Sequence, residues 1–325
     1  MTSEHAQPRK QHFDIIVTDG FVLTEFAAVV DPLRTANRVT AQPLFSWTFR
    51  SAGGGTITSS SEAILPTERF AEKPDADYLF VIGNTDPDAP GLTLGNVINT
   101  YTHRGAKVFL LAEAASRYIK DKGSAAWGMS THWENSALLR ERMELLDTDN
   151  ALASGDGPVV TCAGMNATMD VVLSVMGQHI SSAELQTVVN IFLHEQIRDF
   201  GTRQPFGGTS AATTGDADLD RAIEIMQSRI EDPVLIGELT TSVGVSSRSL
   251  ERKFRTFLGT TPNTYYRQLR LARANNLLLN TTLSVREVGL ASGFAGGFSV
   301  LYKSFYGITP LEMRRRRRRQ KTWKD

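Results

Sequence analysis

Two kinds of apolar run alternate along the first two-thirds of this chain. Near-continuous runs of strand length stand at residues 13–17 (FDIIV), 78–83 (YLFVIG), 107–112 (KVFLLA) and 158–164 (PVVTCAG). Unbroken apolar character is expected of strands buried on both faces, as in a parallel sheet covered by helices. Between these runs, apolar residues recur at helical spacing. Phe26, Val29, Val30 and Leu33 mark one helix, with Thr24 in its N-cap position. Further helices are expected at residues 94–103, 114–120, 131–143 and 166–179. Ser181 and Glu184 have capping-box spacing for one more, whose apolar face is Leu185, Val188, Val189, Phe192 and Leu193, as core or as a dimer seam. FSWTFRSA at residues 45–52 reads as a strand closed by a glycine turn. The alternation predicts an α/β layer fold with a mainly parallel sheet over residues 13–200, after a disordered N-terminus at residues 1–12.

The pattern then changes. Residues 201–216 begin with GTRQPFGGTSAATTG, have little to bury, and read as a linker. Beyond it all periodicity is helical, predicting an all-α domain over residues 217–313 and a basic tail at 314–325. Leu219, Ile223, Met226 and Ile230 mark a first helix. One local pattern then appears twice. At an offset of 48, Leu250, Phe254, Phe257, Gly259, Thr261 and Pro262 fall on Phe298, Tyr302, Phe305, Gly307, Thr309 and Pro310. At an offset of 49, Ile236, Leu239, Gly244 and Val245 fall on Val285, Val288, Gly293 and Phe294. Each copy reads as a short helix, a turn opened by glycine and a second helix, which is the helix-turn-helix plan. Residues 263–280 are long enough for one connecting helix.

Charge sharpens the division. The formal net charge of zero hides 19 Lys and Arg against 11 Asp and Glu from Asp216 onward, and 16 against 24 before it. A basic module on an acidic body points to a polyanionic partner, double-stranded DNA, for the former. The single cysteine, Cys162, excludes an intrachain disulfide, and no metal or cofactor motif is present. Without an apolar leader or a run of membrane-spanning length, the expected compartment is the cytoplasm, with no membrane partner.

In the first repeat Leu250, Phe254 and Phe257 are expected inward, leaving Ser247, Arg248, Glu251, Arg252 and Arg255 outward. An arginine fork can bond O6 and N7 of guanine together, so these positions suit base reading, while Lys253 and Arg255 suit phosphate contacts. The alternative is a merely solvated helix face; the duplication weighs against it. Residues 216–315 resemble the AraC/XylS-type DNA-binding domain through SLERKFRTFLGTTP, LRLARANNLLL, GLASGF and YGITP. The resemblance implies base contacts from Arg248, Glu251 and Arg252, an activator working with RNA polymerase, and a homodimer. The second repeat departs from that family's pattern. Gly296 and Gly297 stand where polar residues are usual and Val300 where arginine is usual, so this unit is expected to dock on the DNA backbone through Ser299 and Lys303. The arginine run at residues 314–319 reads either as a disordered, solvated tail or as a non-specific phosphate grip.

Residues 13–195 resemble the class I glutamine amidotransferase-like fold of the PfpI kind, through DGFVLTEFAAVVDPLRTANR, YLFVIG, STHWE and TCAG. Joined to the C-terminal resemblance, this is the layout of the GlxA subfamily of regulators. Enzymes of the fold carry a cysteine on a strand-to-helix turn, a position that falls here on Ala112; His132 stands at the partner position and Glu25 at the acidic one. Cys162 ends a different strand. Nucleophilic catalysis therefore lacks its nucleophile. The resemblance implies instead a sensor for a small amino acid or quaternary amine, with Glu25, Asn84, Glu113, His132, Trp133 and Cys162 lining its pocket. Two alternatives stay open: a dimerisation scaffold only, and a hydrolase or amidase working through Cys162 or water.

Overall fold

A computed structural model of the chain describes residues 9–126, 128–136, 139, 151–155, 157–204, 214–281 and 283–322. It divides into two compact units, Met1–Gln204 and Pro205–Asp325.

The first unit is built on a sheet of eight strands: β1 (Gln11–Ile16), β2 (Phe45–Ser51), β3 (Gly55–Thr58), β4 (Ile64–Arg69), β5 (Tyr78–Val81), β6 (Lys107–Leu111), β7 (Ala153–Ser154) and β8 (Val159–Cys162). Their order is β3-β4-β2-β1-β5-β6-β8-β7. Pairing is parallel from β4 across to β8, and only β3 and β7 join antiparallel at the two edges. The four apolar runs are β1, β5, β6 and β8, and their continuity follows from burial on both faces. Phe13, Ile15, Tyr78, Phe80, Phe109 and Leu111 face one helical layer, formed by α1 (Leu23–Val39), α4 (Asn166–Met176) and α5 (Ser182–Ile191). The alternate residues Ile16, Leu79, Val81, Val108 and Leu110 face the other, formed by α2 (Gly95–His103) and α3 (Ala112–Lys122).

Several expectations are corrected. Val22, not Thr24, is the N-cap residue of α1, and no side chain caps that helix. The capping box at Ser181 and Glu184 is present, but α5 stops at Ile191. Leu193, at φ 52°, is 88% exposed rather than on an apolar helix face. Residues 11–12 already belong to β1. Residues 201–204 are not free linker: Leu152 N–H donates to Thr202 O at 2.9 Å, and Gln204 is buried. Residues 1–8, 205–213 and most of 137–150 lie outside the described residues.

The second unit is helical: α6 (Ala217–Ser228), α7 (Ile236–Val243), α8 (Ser247–Leu258), α9 (Pro262–Asn280), α10 (Val285–Ala291), α11 (Phe298–Tyr306) and α12 (Pro310–Thr322). Leu219, Ile223, Met226, Leu239, Leu250 and Phe254 close its first core around one end of α9. Side chains cap five of these helices: Asp216, Ser246, Thr261, Ser284 and Thr309 each accept from the N3 amide. A cap of this kind contributes about 1 kcal/mol. The arginine run is not a disordered tail as far as residue 322, because it continues α12.

Candidate functional site

Two places carry functional chemistry, one in each unit. In the first helix-turn-helix, α7 ends at Gly244, whose φ of 81° reverses the chain at no steric cost. Ser246 then accepts from Ser249 N–H at 3.2 Å and starts α8. Leu250 and Phe254 point inward and are fully buried. Ser247, Arg248, Glu251, Arg252 and Arg255 are exposed together on α8. Arg255 pairs with Glu251 one turn earlier at 3.0 Å. Phe257 does not join the inner face; it is 48% exposed. Leu258, four residues after Phe254, completes the buried stripe instead. Lys253, expected at phosphate, has its ammonium 2.5 Å from Asp216 and 3.0 Å from Asp218 at the start of α6.

The second unit reaches the same shape by other means. Gly297, at φ 70°, precedes α11 and offers no side-chain cap. Phe298 and Tyr302 are buried, and Tyr302 O–H donates to Asn275 Oδ1 on α9 at 2.5 Å. Arg270, also on α9, donates to Ser292 O at 3.1 Å and to Gly293 O, with its guanidinium 4.2 Å from the centre of the Phe294 ring. This clamp holds the turn that weak local caps do not. Ser299, Val300 and Lys303 are exposed on α11.

In the first unit, four loops meet outside the carboxyl ends of β1, β5, β6 and β8, at the place where the chain order reverses between β1 and β5. Ala112, at φ 41°, forms the sharp turn from β6 into α3, a conformation costly for any residue but glycine. Glu25, fully buried on α1, accepts from Gly83 N–H and Met165 N–H, each at 2.9 Å. Glu113 accepts from Asn135 Nδ2 at 3.1 Å through Oε1, while its buried Oε2 has no hydrogen-bond partner. A Cβ on Gly83 would lie 2.7 Å from Oε2 of both glutamates. One on Gly164 would lie 2.3 Å from Glu25 Oε1 and 2.6 Å from Ala112 Cβ. The absence of a side chain at these two glycines therefore leaves room for the two carboxylates beside Ala112.

The electrostatics follow from this packing. Burial, then the charge of Glu25, pushes Glu113 up to about 7. Burial raises Glu25 as well, against its two amide donors. Burial lowers His132 to about 4, so its imidazole is neutral; Glu134 N–H donates to its Nδ1 at 3.4 Å. Burial also raises the Cys162 thiol, which keeps it protonated and a poor nucleophile. Cys162 is fully buried at the end of β8, level with Leu111.

The structure thus brings Glu25, Ala112 and Glu113 together. The segment with His132 and Trp133 is hooked to them at both ends, by Thr131 Oγ1 donating to Ala112 O at 2.8 Å and by Asn135 on Glu113. His132 and Trp133 stack obliquely with ring centres 5.5 Å apart. Asn84 is committed elsewhere: its amide donates to Thr18 Oγ1 at 2.9 Å and Asp19 O at 2.7 Å, bracing the loop after β1.

Comparison with known proteins places these observations. A family described as a helix-turn-helix domain matches residues 239–316. HTH-type transcriptional regulator GbdR of Pseudomonas aeruginosa is 28% identical over 319 residues, which cover 94% of this chain and 84% of GbdR. HTH-type transcriptional regulator GlxA of Rhizobium meliloti is 27% identical over 318 residues, 94% of this chain and 96% of its own. HTH-type transcriptional regulator CdhR of Pseudomonas aeruginosa is 30% identical over 322 residues, 94% of this chain and 91% of its own. The chain belongs to this family of AraC-type transcriptional regulators.

Four residues of the regulator's crevice escape a reading of the sequence. Gly83 and Gly164 make the space, Asn135 holds Glu113, and Gln204 supports the Trp133 segment. Gln204 Oε1 accepts from Trp133 N–H at 2.9 Å, and its Nε2 donates to Thr131 O and Ala151 O, each at 2.8 Å. Gly83 closes the YLFVIG stretch and Gly164 the TCAG stretch, Asn135 follows STHWE, and Gln204 sits in what reads as linker. No helix among the described residues is long and apolar enough to cross a membrane, and no group of three or more metal-ligating side chains occurs among them.

Proposed function

We propose that this transcriptional regulator binds double-stranded DNA as a homodimer, reading bases with α8 and activating RNA polymerase when a small cationic metabolite occupies the crevice beside Ala112. Arg248, Glu251 and Arg252 supply base contacts; Ser247, Arg255, Ser299 and Lys303 supply further polar contacts to the duplex. The crevice acts as a sensor and not as an active site. Its strand-to-helix turn presents a methyl group where nucleophilic chemistry needs a thiol or hydroxyl, and Cys162 is held protonated.

The observation that carries the sensor reading is the unpartnered, buried Oε2 of Glu113 facing the Oε2 of Glu25. Two carboxylates in one dry space repel when both are charged, and a cation placed between them relieves that repulsion. An ammonium or quaternary nitrogen fits this chemistry, and the Trp133 ring adds a face that attracts cations. The ligand class is thus an amino acid or a quaternary amine.

The test is a panel of amino acids and quaternary amines read by thermal shift on the full chain, with Glu113→Gln as control. Stabilisation of the wild type, lost in the variant, supports the reading. Absence of any stabilising amine removes the ligand class, and transcription insensitive to metabolites would leave the first unit as a scaffold alone.

A further inference from the structure

We infer that Val300 reads a thymine methyl group in the major groove, so the second helix-turn-helix also specifies sequence. The inference rests on the proposed contacts of both α8 and α11 with the duplex, and goes beyond the backbone docking expected of α11 from the sequence. At the repeat offset of 48, Val300 is the counterpart of Arg252, and both are exposed. Val300 is 75% exposed in the middle of α11, while Phe298 and Tyr302 carry the buried face of that helix.

An exposed valine has no local reason to be there. β-Branched residues are poorer helix formers than alanine, and its methyl groups gain nothing from water. Its exposed neighbours on α11, Ser299 and Lys303, are polar, so Val300 extends no apolar seam along this face. The major groove offers one apolar feature on its base edges, the C5-methyl of thymine. A branched aliphatic side chain buries that methyl and gains nothing from cytosine or guanine. Where Arg252 selects guanine by hydrogen bonds, Val300 selects thymine by contact. Gly296 and Gly297, just before α11, carry no side chain and so leave the N-terminus of that helix free of bulk toward the bases.

The experiment uses the full chain. Duplexes are selected from a random pool, and each thymine of the enriched site is then replaced by deoxyuridine, which removes only the methyl. One thymine, in the half of the site away from the guanines read by α8, is expected to lose about fourfold in affinity, the worth of one buried methyl. That loss should vanish in Val300→Ala, whose folding is untouched because the side chain is exposed. Val300→Arg should shift the selected base at that position from thymine to guanine. An enriched site at which deoxyuridine has no effect, or the same effect in Val300→Ala, overturns the inference and leaves DNA reading by α8 standing. Failure to enrich any site overturns both.

Discussion

Glu25 and the Oε2 of Glu113 are buried side by side, whereas Arg248 and Arg252 stand on an open helix face. The carboxylates are held by backbone amides and an asparagine, and one oxygen is left without a partner. The arginines make no ion pair among the described residues and are surrounded by solvent. A charge in water is cheap to keep and contributes nothing to folding. A charge in a dry crevice is costly, and the fold tolerates it only where a proton or a ligand neutralises it. Removing either kind therefore has opposite signatures: the crevice answers through stability and pH, the helix face through binding alone.

The largest effect is expected at Glu113. With its carboxyl raised to about 7, the folded state between about pH 4.5 and about pH 7 holds a proton that the unfolded chain has lost. Stability therefore falls as pH rises through that window, and the penalty is complete above it. Glu113→Gln removes the penalty, so it should be more stable than the wild type by roughly 2–4 kcal/mol at pH 8 and about equal to it at pH 4.5. Urea melts at the two pH values check this. Parallel melts at both would mean that the crevice is wetter than its packing implies, and the contrast with α8 would weaken.

Next comes Arg252→Ala, which should cost about tenfold or more in affinity for a selected site, the worth of a good guanine pair, and leave the melting temperature where it was. A fall in melting temperature of several degrees would instead make Arg252 a folding residue. The smallest effect belongs to Lys253→Ala. Because Asp216 and Asp218 already hold its ammonium, the dependence of DNA affinity on salt should keep its slope. A slope shallower by about one ion would show that DNA competes for this lysine.

What the sequence disclosed follows the same division. Strands β1, β5, β6 and β8 are legible because burial on both faces makes their apolar runs unbroken. Strands β3 and β4 are not, because they lie at the sheet edge with most side chains exposed, and no period distinguishes them from loop. Arg248 and Arg252 are legible because an amphipathic helix shows its outward residues by spacing alone. Phe257 misleads that same spacing: the helix has two candidates for its last inward turn, and Leu258 takes it. Glu113 is suggested by its place after Ala112, but its unpartnered oxygen depends on Gly83, Asn135 and Glu25, which only the folded chain assembles. Gln204 is hidden for the same reason. Its three hydrogen bonds reach residues 53 to 73 positions away.

The central claim is that the carboxylate pair holds a cationic effector, and its most direct test is a pH-resolved titration. Tetramethylammonium, trimethylglycine and free amino acids would be titrated into the full chain by calorimetry at pH 6 and pH 8. Cation binding favours the ionised Glu113, so affinity should be higher at pH 8, with proton release on binding near pH 7 and no pH dependence in Glu113→Gln. A ligand of this class that binds equally at both pH values, or as tightly to Glu113→Gln as to the wild type, would contradict the account.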